Sequence, residues 1–191
     1  MLYPVESLGP GRRIAVWVQG CERRCEGCAN PELWDMNQGA KVPLDILVAM
    51  VRSAIKTYQL DGVTITGGEP MLQAVELAQM LDRVRNLCDD VLLFTGYYYH
   101  ELAAHKEMQD LLSRISMLVD GPYIQAENQS EILRGSANQG MRMLDASKAQ
   151  KYMDYLEAGR HRIDDFDGEN GIISVGIHPE GMVLTLKGES Q

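Results

Sequence analysis

Three of the four cysteines in this 191-residue chain fall within one short stretch near its start. They are Cys21, Cys25 and Cys28, with the spacing C-x3-C-x2-C. Three thiolates on one loop can converge on a single soft metal centre. They could hold zinc with a fourth ligand from elsewhere, or a cubane iron–sulfur cluster in which one iron has no cysteine ligand. The spacing alone leaves both kinds of site open.

The fourth cysteine, Cys88, lies far along the chain, on the apolar face of a predicted helix. A buried and inert thiol is the simplest interpretation of that position. The sequence has no second C-x-x-C pair, whereas zinc ribbons and fingers bring paired ligands from two segments. The cysteines near the start therefore form an incomplete ligand set, which would leave one iron open to a substrate or cofactor.

A glycine-rich turn, Gly67-Gly68-Glu69-Pro70, is the second feature with chemical meaning. It ends a predicted strand at 62–66, just as the cysteine loop follows a predicted strand at 13–18. Ligand sites in parallel α/β folds gather at the carboxyl ends of strands. We therefore expect the turn and the cysteine loop to share one rim.

The elements that must position these motifs alternate between strand and helix. Apolar runs predict strands at 13–18, 62–66, 90–95, 115–119 and 141–145, and helical spacing of apolar residues predicts helices at 43–58, 71–87, 100–113 and 147–158. This repetition predicts a parallel sheet with helical crossovers. Residues 160–171 are charged and turn-rich, which predicts a linker or loop, and two further strands at 172–177 and 182–187 predict a hairpin.

The cysteine loop and the glycine-rich turn, in this order and spacing, resemble the signature elements of the radical S-adenosylmethionine (SAM) superfamily. The segment from Gly20 to Asp35 is similar to the cluster loop of the glycyl-radical activating enzymes. Three later segments resemble parts of the activators of anaerobic ribonucleotide reductase: Thr95-Gly96-Tyr97, Asp120-Gly121-Pro122-Tyr123 and Arg134-Gly135-Ser136-Ala137-Asn138-Gln139. The resemblance ends near residue 140.

The resemblance implies a specific reaction. Cys21, Cys25 and Cys28 would hold a 4Fe–4S cluster whose fourth iron chelates SAM. One electron from the cluster would cleave SAM to methionine and a 5′-deoxyadenosyl radical, which would take hydrogen from a glycine of a partner glycyl-radical enzyme such as anaerobic ribonucleoside-triphosphate reductase. A flavodoxin- or ferredoxin-type protein would supply the electron.

The resemblance also assigns cofactor-binding roles to residues outside the cysteine loop. Gly67, Gly68, Glu69 and Pro70 would bind the methionine amino group, and Asn30 and Arg134 would contact the cofactor. Thr95 and Asp120 would face ribose or a monovalent cation, as in some activases, and Tyr97 would pack on adenine. The alternatives are a plain turn for Asp120 and an ordinary core or rim position for Tyr97. For the segment from Arg134 to Gln139 they are a contact with the partner protein or a brace for a loop.

The length bounds the fold and the substrate. A full eight-fold barrel typically needs about 250 residues, so we predict a partial (β/α) barrel of four to six units with a mostly parallel sheet in residues 1–159, and a linker and C-terminal β-hairpin appendage in residues 160–191. An open barrel side would admit a loop of a protein substrate. The alternatives are a compact radical enzyme acting on a small molecule, such as a deazapurine precursor, and a zinc or electron-transfer module.

Charge and hydropathy limit the classes of partner and the cellular location that we expect for the protein. Lysine and arginine number 18 against 27 aspartates and glutamates, a net charge of −9, which argues against a nucleic acid or an anionic membrane as partner. The chain has no apolar run of about 18 residues, and its start lacks the basic and apolar regions of a signal peptide. We therefore expect a cytoplasmic protein.

Overall fold

A six-stranded sheet and a separate two-stranded hairpin organise the chain in a computed structural model, which describes residues 1–159, 162–168 and 171–178. The six strands lie in chain order across the sheet: β1 (Leu2–Val5), β2 (Arg13–Val18), β3 (Gly62–Gly67), β4 (Val91–Thr95), β5 (Met117–Asp120) and β6 (Gly140–Met143). The hairpin consists of β7 (Asp164–Gly168) and β8 (Gly171–Val175).

The central strands β2, β3, β4 and β5 are parallel, whereas the edge strands β1 and β6 run antiparallel to their neighbours. The register pairs Val18 with Gly67 and Thr95 with Asp120, so the carboxyl ends of the parallel strands form one rim. The mostly parallel sheet is confirmed. It is open: no pairing joins β1 to β6 within the described residues.

Helices cover one face of this sheet, which we call the outer face. These helices are α1 (Leu44–Tyr58), α2 (Ala74–Val84), α3 (Tyr99–Leu102) and α4 (Lys106–Leu112). A fifth helix, α5 (Ala149–Glu157), follows β6 and lies on the other face. Because side chains alternate along a strand, Ile14 and Val16 of β2 point to the outer face and pack with apolar residues of α1 and α2.

The opposite, inner face of the sheet carries the alternate side chains, among them Ala15, Trp17 and Phe94. The C-terminal elements cover it. Tyr152 of α5 packs with Leu92, Met117 and Val119, and Val175 of β8 packs with Val5, Leu8 and Ala15. Both faces of the sheet are thus buried, as parallel strands require.

A buried ion pair fastens the amino-terminal end of the sheet. The fully buried Arg13 guanidinium lies 3.1 Å from the Asp90 carboxylate and donates to the Thr64 hydroxyl at 2.7 Å. Two residues of α5 join it, since Lys151 and Tyr152 both donate to Asp90. This network holds β2, the start of β4 and α5 together on the side of the sheet opposite the rim.

Several predicted elements differ from the observed ones. The predicted helix at 71–87 is a 3-10 turn over Pro70–Gln73 followed by α2, and the predicted helix at 100–113 is divided into α3 and α4. The predicted strand at 141–145 is β6, which pairs antiparallel and adds no parallel unit. β1 was not predicted.

The predicted linker at 160–171 was wrong in part, because it contains β7. Within the described residues the hairpin pairs β7 with β8, and β8 corresponds to the strand predicted at 172–177. The predicted partner of that strand was the one at 182–187. The latter lies outside the described residues. No helix in the described ranges is both long enough and apolar enough to cross a membrane.

Candidate active site

A single cavity of about 770 Å³ opens at the carboxyl ends of the parallel strands, on the inner face. That volume is within the range of pockets for small molecules and cofactors. Eight of the predicted site residues line it: Cys21, Cys25, Cys28, Asn30, Gly67, Gly68, Glu69 and Thr95. The expected shared rim of cysteine loop and glycine-rich turn is therefore present in the structure.

The cysteine loop begins at the end of β2, and backbone hydrogen bonds join its first residues to the segment that follows the loop. The amide of Gly20 donates to the Leu33 carbonyl at 2.8 Å, and that of Cys21 donates to the Trp34 carbonyl at 3.0 Å. The three thiols are free and partly buried. The amide of Asn30 donates to the Cys28 sulfur at 3.4 Å, so the backbone already offers a donor to a sulfur of the loop.

The glycine-rich turn lies directly against the base of that loop. The amide of Glu69 donates to the Gly20 carbonyl at 2.7 Å, and the amide of Gly68 donates to the Val18 carbonyl at 2.8 Å. A Cβ at Gly68 would lie 2.3 Å from the Gly20 carbonyl oxygen, which is closer than any side chain permits. Gly67 has a φ of +109°, a conformation that favours glycine. The glycines thus permit the turn and the loop to touch.

The Glu69 side chain is buried at the centre of the rim, with 2% of its surface exposed. Its Oε1 accepts hydrogen bonds from the Met71 amide at 2.9 Å and the Thr95 hydroxyl at 2.7 Å, and its Oε2 accepts one from the Gly96 amide at 2.8 Å. Burial raises the pKa of this carboxyl, and the three hydrogen bonds oppose that rise. A carboxylate has about four acceptor positions, so these three hydrogen bonds leave Oε2 with one free position, and Glu69 lines the cavity.

Arg23, which sequence reasoning did not select, lies between the cysteines in sequence and lines the same cavity. Its guanidinium is 3.0 Å from the Glu101 carboxylate and 4.2 Å from the centroid of the Tyr97 ring. Tyr97 itself does not line the cavity. The structure thus places Tyr97 beneath Arg23, and its predicted contact with adenine stays a prediction.

Three more predicted residues do not line the cavity. Pro70 is buried at the start of the 3-10 turn. Asp120 is 1% exposed, accepts a hydrogen bond from the Tyr99 amide at 2.8 Å and pairs with Arg142 at 2.7 Å. Arg134 donates to the Gln139 carbonyl at 2.9 Å and pairs with Glu131 at 3.0 Å. Their predicted roles toward cofactor or cation stay predictions.

Comparison with known proteins identifies the group to which this geometry belongs. A family model described as "4Fe-4S single cluster domain" matches residues 7–142, a range that includes the cysteine loop, the turn, the parallel strands β2 to β5 and most of β6. The chain belongs to the 4Fe-4S single-cluster domain family. The iron–sulfur assignment of the cysteines is therefore favoured over zinc.

Relatives of this 4Fe-4S family member carry one name, anaerobic ribonucleoside-triphosphate reductase-activating protein. The protein of Vibrio cholerae is 34% identical over 144 residues, which is 72% of this chain and 92% of that protein. The protein of Escherichia coli K12 is 33% identical over 145 residues, with the same coverage of 72% and 92%. That of Enterobacteria phage T4 is 28% identical over 143 residues, or 72% of this chain and 88% of that protein. The predicted resemblance to these activators is confirmed.

The cavity residues of this family member fit a 4Fe–4S cluster chemically. Three partly buried free thiols share one cavity. Burial raises the pKa of the Cys21 thiol, and hydrogen bonds from the backbone amides of Arg23 and Arg24 oppose part of that rise. The indole N–H of Trp34, another cavity residue, has no hydrogen-bond partner among the described residues. No group of three His, Cys, Asp or Glu side chains in the described ranges is arranged to hold one metal ion. Thiolates that each bind a different iron of a cubane lie farther apart than ligands of one ion.

The family match ends before α5 and the hairpin, yet the hairpin reaches the cavity. The residues from Ile173 to His178 line it, beside Trp17 and Phe94 of the inner face. Sequence reasoning missed these residues, because nothing in a short apolar strand indicates which surface it will cover. The alternation of Trp17 with Val16 and Val18 in β2 is the one signal that could have placed an aromatic ring on the inner face.

Proposed function

We propose that this protein is a radical SAM activase that forms a glycyl radical on anaerobic ribonucleoside-triphosphate reductase or a closely related glycyl-radical enzyme. One observation carries the proposal. In a chain of the 4Fe-4S single-cluster domain family, the cysteine loop, the Gly67–Pro70 turn and Thr95 converge on one cavity at the carboxyl ends of parallel strands.

In this function Cys21, Cys25 and Cys28 hold the cluster and leave one of its irons for SAM. When bound, the reduced cluster supplies the one electron that cleaves SAM to methionine and a 5′-deoxyadenosyl radical. This radical takes a hydrogen atom from the glycine, which leaves 5′-deoxyadenosine and a glycyl radical. The amide of Asn30 supports the Cys28 sulfur through its hydrogen bond.

Glu69 binds and orients the methionine amino group through the acceptor position that its Oε2 keeps free. Thr95 and Gly96 hold that carboxylate in place from the end of β4. Since Glu69 is buried, water competes little for the same position. The chain therefore contributes a fixed negative charge where the cofactor carries a positive one.

Several finer features belong to the same proposal. The open sheet is a partial (β/α) barrel within residues 1–159, and residues 160–191 are an appendage to it. A flavodoxin- or ferredoxin-type protein delivers the electron in the cytoplasm, and neither a nucleic acid nor a membrane takes part. A monovalent cation beside the SAM carboxylate, near Thr95 and Asp120, is the least supported of these features, because Asp120 lies outside the cavity lining.

The test uses the full chain, reconstituted with iron and sulfide without oxygen. After reduction with dithionite and addition of SAM, 5′-deoxyadenosine should form with the native protein and not with Cys25→Ala. Cys88→Ala is the matched control, because Cys88 is buried in the outer core away from the cavity. Protein that takes up zinc and no iron, or a Cys25→Ala variant that still cleaves SAM, would contradict the proposal.

The choice of substrate needs a second measurement. Anaerobic ribonucleoside-triphosphate reductase of the same organism should gain the ability to reduce ribonucleotides after incubation with the reduced protein and SAM. If SAM is cleaved but the reductase stays inactive, the small-molecule alternative, such as a deazapurine precursor, takes precedence.

A further inference from the structure

The hairpin of β7 and β8 is fixed to the start of the chain by specific hydrogen bonds. The Asp164 carboxylate accepts from the amides of Glu6 at 2.7 Å and Ser7 at 2.8 Å. The Ser7 hydroxyl donates to the Val175 carbonyl at 2.8 Å, and the Val175 side chain is buried against the inner face. The hairpin is thereby held in one position relative to β1 and the cavity.

The hairpin end of the cavity differs in chemistry from the cysteine end. The cysteine end holds the thiols, Glu69 and Arg23, whereas the hairpin end is built from Ile173, Ile177 and the rings of Trp17 and Phe94. The hairpin also brings two polar groups to the cavity, since the Ser174 hydroxyl and the His178 ring nitrogen Nε2 lie 3.2 Å apart and both residues line it. A charged amino acid moiety belongs at the cysteine end, and an uncharged ligand belongs at the hairpin end.

Two neighbouring isoleucines of β8 show which side of the hairpin faces a ligand. Ile172 and Ile173 are almost equally exposed, at 44% and 45%. Only Ile173 of the two lines the cavity, next to Ser174 and Val175, which also line it. Ile173 is therefore an apolar side chain left uncovered above a cavity.

We propose that this hairpin is the wall that selects the protein substrate, with Ile173 in contact with the glycine-bearing loop of the partner enzyme. The inference rests on the proposed function and deepens it. An extended loop that carries a glycine is uncharged at its backbone, can lie against an isoleucine, and has amide groups that suit a hydroxyl and an imidazole. The hairpin thus closes part of the side that the open sheet leaves to the substrate.

The experiment compares Ile173→Ser with Ile172→Ser in the full, cluster-loaded chain. For each protein, the KM for the reductase in glycyl-radical formation is measured next to the rate of SAM cleavage without reductase. We expect Ile173→Ser to raise the KM about tenfold relative to its own SAM cleavage, as for loss of one central apolar contact. Ile172→Ser should match the native protein, since both variants make the same chemical change at the same exposure.

Each alternative outcome has a distinct meaning. Equal KM values for both variants and the native protein would overturn the inference. A loss of SAM cleavage by Ile173→Ser that equals its loss of radical formation would overturn it too, because the hairpin would then serve the cofactor. If the native protein cleaves SAM and forms no radical on the reductase, the proposed function itself fails, a result that is visible before any variant is made.

Discussion

At the scale of single residues, the rim depends on one buried carboxylate. Glu69 connects the glycine-rich turn to the end of β4 through Thr95 and Gly96, and its side chain is almost fully buried. Burial raises the pKa of Glu69, because the ionised carboxylate is costly to remove from water. A cationic ligand beside it would offset that cost.

We expect Glu69→Gln to weaken SAM binding by about tenfold or more, because an amide N–H₂ would then face the ligand ammonium in place of an acceptor. Anaerobic calorimetry with SAM and cluster-loaded protein measures this. Glu76→Gln is the control, since Glu76 is exposed on α2. Equal SAM affinity of Glu69→Gln and Glu76→Gln would show that Glu69 only holds the turn.

Residue types and spacing sufficed to predict the cysteines and the turn, because their chemistry is written in consecutive residues. Arg23 was missed, since its partners Tyr97 and Glu101 are distant in sequence. Asp120, Tyr97 and Arg134 were selected by resemblance, and in the structure they do not line the cavity. Whether a side chain reaches a cavity depends on contacts between segments that a single sequence does not record.

At the scale of elements, the cysteine loop is held at two places. Its base is bonded to the glycine-rich turn, and its middle is held by Arg23, which pairs with Glu101 at the start of α3 and lies on the Tyr97 ring. The amide of Tyr98 also donates to Glu101 at 2.6 Å. The loop and the turn after β4 therefore move together.

Arg23→Gln should loosen this attachment and speed the loss of iron from the cluster to a chelator by about two- to fivefold, the effect of a partly exposed ion pair. Arg24→Gln is the matched control, because Arg24 is exposed and its substitution removes the same charge one residue away. Iron release is followed anaerobically by the colour of the chelate. Equal release rates for the two variants would argue against the attachment.

The ion-pair network at the other end of the sheet predicts a pH dependence. Burial alone would raise the pKa of Asp90, but Arg13 and Lys151 lower it below its ordinary value. The folded chain thus keeps this carboxyl ionised to lower pH than the unfolded chain does. Its contribution to stability is present above the unfolded-state pKa of about 3.9 and is lost as the pH falls through the lower, folded-state pKa.

We therefore expect Asp90→Asn to lower the free energy of unfolding at neutral pH by about 3 kcal/mol, because Arg13 stays buried without its partner. The loss of stability on acidification should be shallower than in the native protein. Urea unfolding at several pH values measures both, with Asp89→Asn as control, since the Asp89 side chain is 59% exposed. An Asp90→Asn variant that unfolds like Asp89→Asn would contradict the account.

Elements with a strong hydrophobic pattern were predicted correctly, whereas a strand that forms only by pairing with another segment was not. The parallel strands and α1 were predicted nearly to their ends, because buried strands read as apolar runs and α1 as an amphipathic helix. β7 was predicted as a loop, because its sequence DDFDG is acidic and short. It is a strand through its pairing with β8, and the Asp164 side chain fixes it to the amides of Glu6 and Ser7, just after β1.

At the scale of the whole molecule, the open sheet and the short chain have a common meaning. The chain length predicted an open barrel side that admits a loop of a protein substrate. The structure shows that α5 and the hairpin of this same chain cover the inner face, and that the hairpin borders the cavity. The opening that remains for a partner protein is therefore narrower than the opening that the chain length alone predicted.

Electron paramagnetic resonance of the reductase is the measurement that tests the central claim most directly. The cluster-loaded protein is reduced, mixed with SAM and the reductase of the same organism, and frozen. The account predicts a doublet from a glycyl radical that collapses to a single line when the reductase contains α-deuterated glycine, and no such signal with Cys25→Ala. Cleavage of SAM without any glycine-centred signal on the reductase would contradict it.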